Sequence, residues 1–179
     1  MKKTFVLFAL FVFTVLFAAC AAKDGTPAKT DDTHAHTAQA TAVLSPTEGN
    51  IVQGKVAFQQ EAHGIRLIAE VSGLTPGSHG FHVHEKGDCS APDASSAGGH
   101  FNPHGAAHGK PGEGHAGDLP ALEADADGNA RLNVLLTSLE ITGEHGILGR
   151  GLIIHADPDD YVSQPTGNAG ARVACAVIQ

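Results

Sequence analysis

The chain has 179 residues, enough for one ordinary domain with appendages, and 42% apolar residues can close a core of that size. Five of its eight Phe fall in the first nineteen positions and Trp is absent, so the core must come from Val, Ile, Leu and Ala; with 22 Gly for turns, this argues for an antiparallel β protein and against a helical bundle. A formal charge of -8 excludes nucleic acid as an expected partner, whereas twelve histidines exceed the needs of packing and ask for a metal.

Lys2 and Lys3, followed by the apolar run Thr4 to Ala19, form the basic and apolar regions of a signal peptide, slightly too short to span a bilayer comfortably. Without those two lysines the balance is 9 basic against 19 acidic residues, or -10. The run ends in LFAAC, which resembles the bacterial lipoprotein box, with Phe17 where that pattern prefers Leu. Cleavage before Cys20 would leave it as an acylated N-terminus; the competing reading is ordinary cleavage nearby, with Cys20 discarded or free. Three cysteines in an exported chain leave one over, and lipidation of Cys20 leaves Cys89 and Cys175 as a pair. Residues 21 to 42 are small and polar with no apolar periodicity, which predicts a flexible tether in which His34 and His36 belong to a solvated tail. The expected layout is a signal peptide at 1–19, a lipidated N-terminus and tether at 20–42 and one domain at 43–179. The expected location is the periplasm or cell envelope of a bacterium, lipid-anchored to a membrane.

From Val43 onward, short alternating runs are separated by Gly, Pro, Asn and Asp, the pattern of hairpins in a sandwich or barrel. Ile65, Leu67, Ala69 and Val71 alternate with Arg66, Ile68, Glu70 and Ser72, which predicts a half-buried strand ending at Gly73. Asp127-Gly128-Asn129 turns the chain into a run from Arg131 to Leu136. Gly151 to His155 and Arg172 to Ile178 are two further β-rich runs. Asp125, Asp127 and Asn129 mimic a calcium-loop spacing, but the glycine stands at 128 and Ala130 holds the position that needs it, so a hairpin turn is expected. Lys86 to Leu119 holds eight Gly, three Pro and three Asp without periodicity, and a loop that long inside one domain is usually functional.

In GFHVHEKGD, His82 and His84 project from one face of a strand while Phe81 and Val83 project from the other. Alone, this pair fits a polar strand face as well as a metal site. A second apolar run, GLIIHAD, ends in His155 where a loop begins and could complete such a site. The long loop supplies His100, His108, His115 and Asp118. Three imidazoles and a carboxylate match the closed tetrahedral set of structural zinc. His63, His79, His104 and His145 lack comparable partners and read as structural or surface residues.

The segments GFHVHEKGDC, GGHFNP, GHAGDL, GRGLIIHADPDD and TGNAGARVAC resemble the copper-zinc superoxide dismutase family in order and spacing, over residues 43 to 179. The resemblance, not periodicity, implies an all-β, eight-stranded Greek-key β-barrel of immunoglobulin-like sandwich type, with long metal-binding and electrostatic loops. It implies that His82, His84, His100 and His155 hold copper and that His100, His108, His115 and Asp118 hold zinc, with His100 bridging the two. Asp159 resembles the carboxylate that links His82 to His108, Cys89 and Cys175 match the family disulfide, and Arg172 resembles the active-site arginine. The implied reaction is disproportionation of superoxide to oxygen and hydrogen peroxide, protecting the envelope, with His100 and Arg172 as the catalytic side chains. Many family members place lysine between the last copper ligand and the arginine, but Ala156 to Ala171 contains none, and Lys86 and Lys110 are the nearest cations by sequence. Two other readings stay open at this point: a copper-binding or delivery protein without turnover, and a sandwich adhesion module with incidental histidines. Homodimer formation is likewise open, because no segment reads as an interface.

Overall fold

The computed structural model describes residues 38–179. The expected signal peptide, Cys20, His34 and His36 lie outside the described residues. Nine strands follow in chain order: β1 (Gln39–Pro46), β2 (Gln53–Glu61), β3 (Gly64–Ser72), β4 (Gly77–His79), β5 (Phe81–His84), β6 (Leu122–Ala124), β7 (Ala130–Leu136), β8 (Gly151–His155) and β9 (Arg172–Val177). Every pairing is antiparallel, in the order β4-β6-β7-β3-β2-β1-β9-β8-β5. The two outermost strands, β4 and β5, are consecutive in the chain and separated only by Gly80. Counted as one bent strand, Gly77–His84 gives the expected eight strands and closes the sheet into a barrel through the backbone itself. The connections from β3 to β4 and from β7 to β8 join strands that are not neighbours, which is the Greek-key signature. The bend requires glycine: a Cβ at Gly80 would lie 2.7 Å from that of Ala169 and 3.1 Å from the His82 ring.

Alternation drives β3 as expected, with Ile65, Leu67, Ala69 and Val71 inward. They join Phe58, Phe81, Val83, Leu122, Leu152, Ile154 and Ile178 in one core, where each large side chain contributes about 1.5–3 kcal/mol. The Asp125 turn forms as a hairpin, its Oδ1 accepting from the amides of Asp127 (3.0 Å) and Asn129 (2.8 Å). The domain begins earlier than Val43. β1 starts at Gln39, inside the segment expected to be tether, because Ala40 and Ala42 alternate inward with Leu44 and pair with β2. The three-residue strands β4 and β6 are too short to show a period.

β8 is buried along its whole length, so both of its faces are covered. Beyond the main core, a small cluster of Ala94, Ala97, Ile153 and Cys175 lies between the sheet and the long loop. A disulfide joins Cys89 in that loop to Cys175 on β9, with Cα atoms 5.9 Å apart. The loop is also laced to the free edge of β5. Phe101 N donates to Val83 O (2.8 Å), Val83 N to Gly117 O (2.9 Å), Glu85 N to Gly99 O (2.9 Å) and Leu119 N to Phe81 O (3.2 Å). This lacing sets His100 opposite His84 and Asp118 opposite His82. A glycine-rich segment with little apolar surface is thereby ordered by backbone hydrogen bonds to a strand.

Candidate metal centre

The period-2 geometry of β5 puts His82 and His84 on one face, both fully buried, and the end of β8 brings His155 beside them. Ring centroids are 5.0 Å apart for His82 and His155 and 5.7 Å for His84 and His155. The laced loop adds His100, whose ring stacks on that of His82 at 3.9 Å. One ligand atom from each of His82, His84, His100 and His155 falls in a cluster with no two atoms more than 4.8 Å apart. A second cluster of the same tightness unites His100, His108, His115 and Asp118, so His100 belongs to both.

The hydrogen bonds decide which nitrogen of each ring is free. His82 Nε2 donates to Asp159 Oδ2 (2.7 Å), His84 Nδ1 to Gly98 O (2.9 Å) and His155 Nδ1 to Gly170 O (3.2 Å). His108 Nε2 donates to the other oxygen of Asp159 (2.9 Å). That leaves His82 Nδ1, His84 Nε2, His155 Nε2 and His100 Nε2 buried without a partner on one side of His100. On the other side, His108 Nδ1 and His115 Nδ1 are equally unpartnered; they lie 3.1 and 3.4 Å from the Asp118 carboxylate, unaligned for a hydrogen bond. His100 Nδ1 faces Asp118 Oδ1 at 2.9 Å.

Six buried nitrogens without partners would cost about 1–3 kcal/mol each if nothing met them. Two cations, one in each cluster, would meet them all. Four convergent imidazole nitrogens suit copper, and three imidazoles with a carboxylate suit zinc, so the residues present fit both ions.

The electrostatics match a site prepared for metal. Burial pushes His82 down to about 4, although the bond to Asp159 and its charge oppose the shift. Burial likewise lowers His84 to about 2 and His155 to about 3, helped by the neighbouring imidazoles and the Arg172 charge. His115 is lowered mainly by burial. These rings stay neutral near pH 7 and keep the lone pair that a metal needs. Burial alone would raise Asp159, but hydrogen bonds from His82, His108 and Tyr161 N hold its carboxyl well below the usual range. Asp118 is lowered in the same way, by His100 and the amides of His115 and Gly109 against the burial.

The Arg172 guanidinium donates to Ala94 O (2.5 Å) and to Gly98 O (2.6 Å), the same carbonyl that accepts from His84 Nδ1. A fixed cation therefore shares an anchor with a ring of the first cluster. All the metal-site residues expected from the sequence thus meet in one place, with Asp159 spanning the two clusters and Arg172 at the edge of the first. The remaining histidines among the described residues stay outside. His79 is buried, its Nδ1 2.8 Å from His155 O and its Nε2 2.8 Å from Thr75 O. His104 and His145 face each other with ring centroids 4.7 Å apart, and His63 is exposed in a turn.

Residues 52–178 match the family model of copper/zinc superoxide dismutase. The chain belongs to the copper/zinc superoxide dismutase family. It is an enzyme that disproportionates superoxide, with copper and zinc as cofactors. It is 43% identical over 141 residues to a Cu-Zn superoxide dismutase of Deinococcus radiodurans, covering 72% of this chain and 78% of that one. An extracellular Cu-Zn superoxide dismutase of Brugia pahangi is 43% identical over 153 residues, covering 79% and 76%. The crystal structure of the clock protein EA4 superposes with a TM-score of 0.72 at 41% identity, covering 79% of this chain and 94% of that chain.

What sequence reasoning missed are the backbone carbonyls of Gly98 and Gly170, which orient His84 and His155, and the close approach of Gly167. A Cβ at Gly167 would overlap both Asp159 Oδ1 and His108 Nε2. Its φ of +66° is a further reason for glycine there, and only its place in TGNAG hinted at either.

Proposed function

We propose that His82, His84, His100 and His155 hold copper, that His100, His108, His115 and Asp118 hold zinc, and that His100 is the bridge between them. The observation that carries this assignment is the double membership of His100, with Nε2 in one cluster and Nδ1 in the other. Copper, when bound, supplies the one-electron exchange by which two superoxide anions and two protons become one oxygen and one hydrogen peroxide. His100 holds one of those protons at Nε2 and returns it, while Nδ1 stays fixed on the side of Asp118, His108 and His115. Imidazole suits this task because it alone among side chains readily alternates between two cations and one cation plus a proton. Arg172 draws the anion in and orients it by charge and hydrogen bonding, against an overall charge that is negative. Asp159 keeps the His82 and His108 rings in the tautomers that leave Nδ1 free.

His100→Ala tests the bridge. It leaves three ligands in each cluster and should abolish most turnover while copper and zinc still bind separately; full activity in that variant would overturn the assignment.

The enzyme acts outside the cytoplasm in this reading, with residues 1–19 as a leader, an acyl anchor on Cys20 and a tether running up to β1. Support comes from Lys2, Lys3 and the apolar run before Cys20, from a disulfide that suits an oxidising compartment, and from a relative described as extracellular. Cys20→Ser should move the protein out of the membrane fraction, and continued membrane retention would refute the anchor.

A further inference from the structure

Gln164 lies in the segment between β8 and β9, 56 residues from His108. Its side-chain carbonyl accepts from His108 N (2.8 Å), and its amide nitrogen donates to His108 O (2.9 Å) and Val162 O (3.1 Å). One side chain thus grips both polar groups of a single residue's backbone. The ring of that residue is gripped from the same segment, because His108 Nε2 donates to Asp159 Oδ1. His108 is therefore held at three points by residues 159–164, which leaves only its unpartnered Nδ1 to face the second cluster.

The segment that does the holding is itself preset. Asp160 Oδ1 accepts from Val162 N (2.9 Å) and Ser163 N (2.7 Å), Gly167 N donates to Ser163 O (2.7 Å) and Asp160 N donates to Gly167 O (2.9 Å). Asn168 Nδ2 donates to Ser163 Oγ (2.8 Å). Gln164 is exposed, so nothing about its own packing calls for a glutamine, whereas His108 is buried. A bidentate amide is the group that satisfies an N–H and a C=O of one peptide backbone together.

We infer that Gln164 is a positioning residue for the zinc ligand His108, clamping its backbone so that Nδ1 is set at the zinc position before the ion arrives. The inference rests on the assignment of His108 to zinc. It adds a residue that touches no metal and sets how tightly the ion is held, in line with the general weight of residues that orient metal ligands.

The test uses the full mature chain with its disulfide intact and compares it with Gln164→Ala and Gln164→Glu. Glutamate keeps size and an acceptor for His108 N but loses the donor to His108 O. Zinc affinity is read by competition with a chromophoric chelator, and the ligand field by the visible bands of cobalt(II) loaded in place of zinc. Both variants should bind zinc about five- to tenfold more weakly, as expected for loss of one or two hydrogen bonds that orient a ligand. Their cobalt bands should shift, and copper affinity should stay within about twofold of the parent. Unchanged zinc affinity and cobalt bands would overturn the inference. So would a purely structural outcome, in which metal-free and zinc-loaded forms lose thermal stability equally while zinc affinity holds. If the parent itself fails to give tetrahedral cobalt bands, the zinc assignment falls and takes the inference with it.

Discussion

Replacing Asp159 by Asn should weaken metal binding and destabilise the loaded enzyme at once, because one carboxylate serves both clusters. Its two oxygens accept from His82 Nε2 at 2.7 Å and His108 Nε2 at 2.9 Å, and the side chain is almost fully buried. Asparagine has a single carbonyl oxygen. Whichever ring keeps it, the other ring's N–H faces an NH2 group, donor against donor. The loss is one hydrogen bond to a charged acceptor plus one unsatisfied buried donor, about 3–5 kcal/mol together. In a domain of this size that corresponds to about 10–15 °C in melting temperature. Without metal the misfit ring can shift its proton to Nδ1 and relieve part of the strain, but a metal on Nδ1 forbids the shift. The destabilisation should therefore be larger with metals bound, and the product of the copper and zinc affinities should fall by about 10- to 100-fold. Calorimetric melting of the metal-free and loaded forms, with chelator competition for each ion, reads both quantities. Equal melting temperatures for variant and parent, with both affinities unchanged, would show that Asp159 does not serve both clusters.

Acidification should destabilise the metal-free protein. His82, His84 and His155 stay neutral in the fold down to about 4, 2 and 3, whereas in the unfolded chain they take up protons below their ordinary value of 6.5. The unfolded state thus binds more protons as pH falls below that value, and between pH 7 and pH 5 the three rings together remove on the order of 5 kcal/mol. Urea unfolding at the two pH values measures this, and equal or higher stability at pH 5 would contradict it. Reduction of Cys89–Cys175, which spans 86 residues, should cost about 4–5 kcal/mol in the chain-entropy account, seen as a lower denaturation midpoint for a Cys89→Ser, Cys175→Ser chain. Arg172→Ile should lower the turnover rate and flatten its dependence on ionic strength without ejecting copper. Copper loss in that variant would give Arg172 a structural role instead.

The legible parts of the fold are those where chemistry follows local spacing. Ile65 to Val71 alternate and form β3, and the one-residue gap between His82 and His84 puts both rings on one face of β5. Ligands in the long loop could be named from residue type, but their placement could not. His100 and Asp118 reach the site through backbone bonds to Val83, Phe81 and Glu85, and peptide groups leave no mark in a sequence. The start of β1 was hidden for a related reason. Its inward residues before Leu44 are Ala40 and Ala42, too small to stand out from the tether before them. β8 is covered on both faces and so shows no period; it was legible only as a β-rich run. Gln164 and Gly167 were invisible as parts of the centre, because their contacts to His108 join segments more than fifty residues apart.

In the proposed assignment one histidine, His100, joins a copper site to a zinc site in a working superoxide dismutase. Metal content by mass spectrometry on the purified protein, paired with superoxide consumption before and after copper addition, is the test. One copper and one zinc per chain, with turnover lost on chelation and restored by copper, is the predicted result. Zinc alone, with no activity restored by copper, would contradict the account.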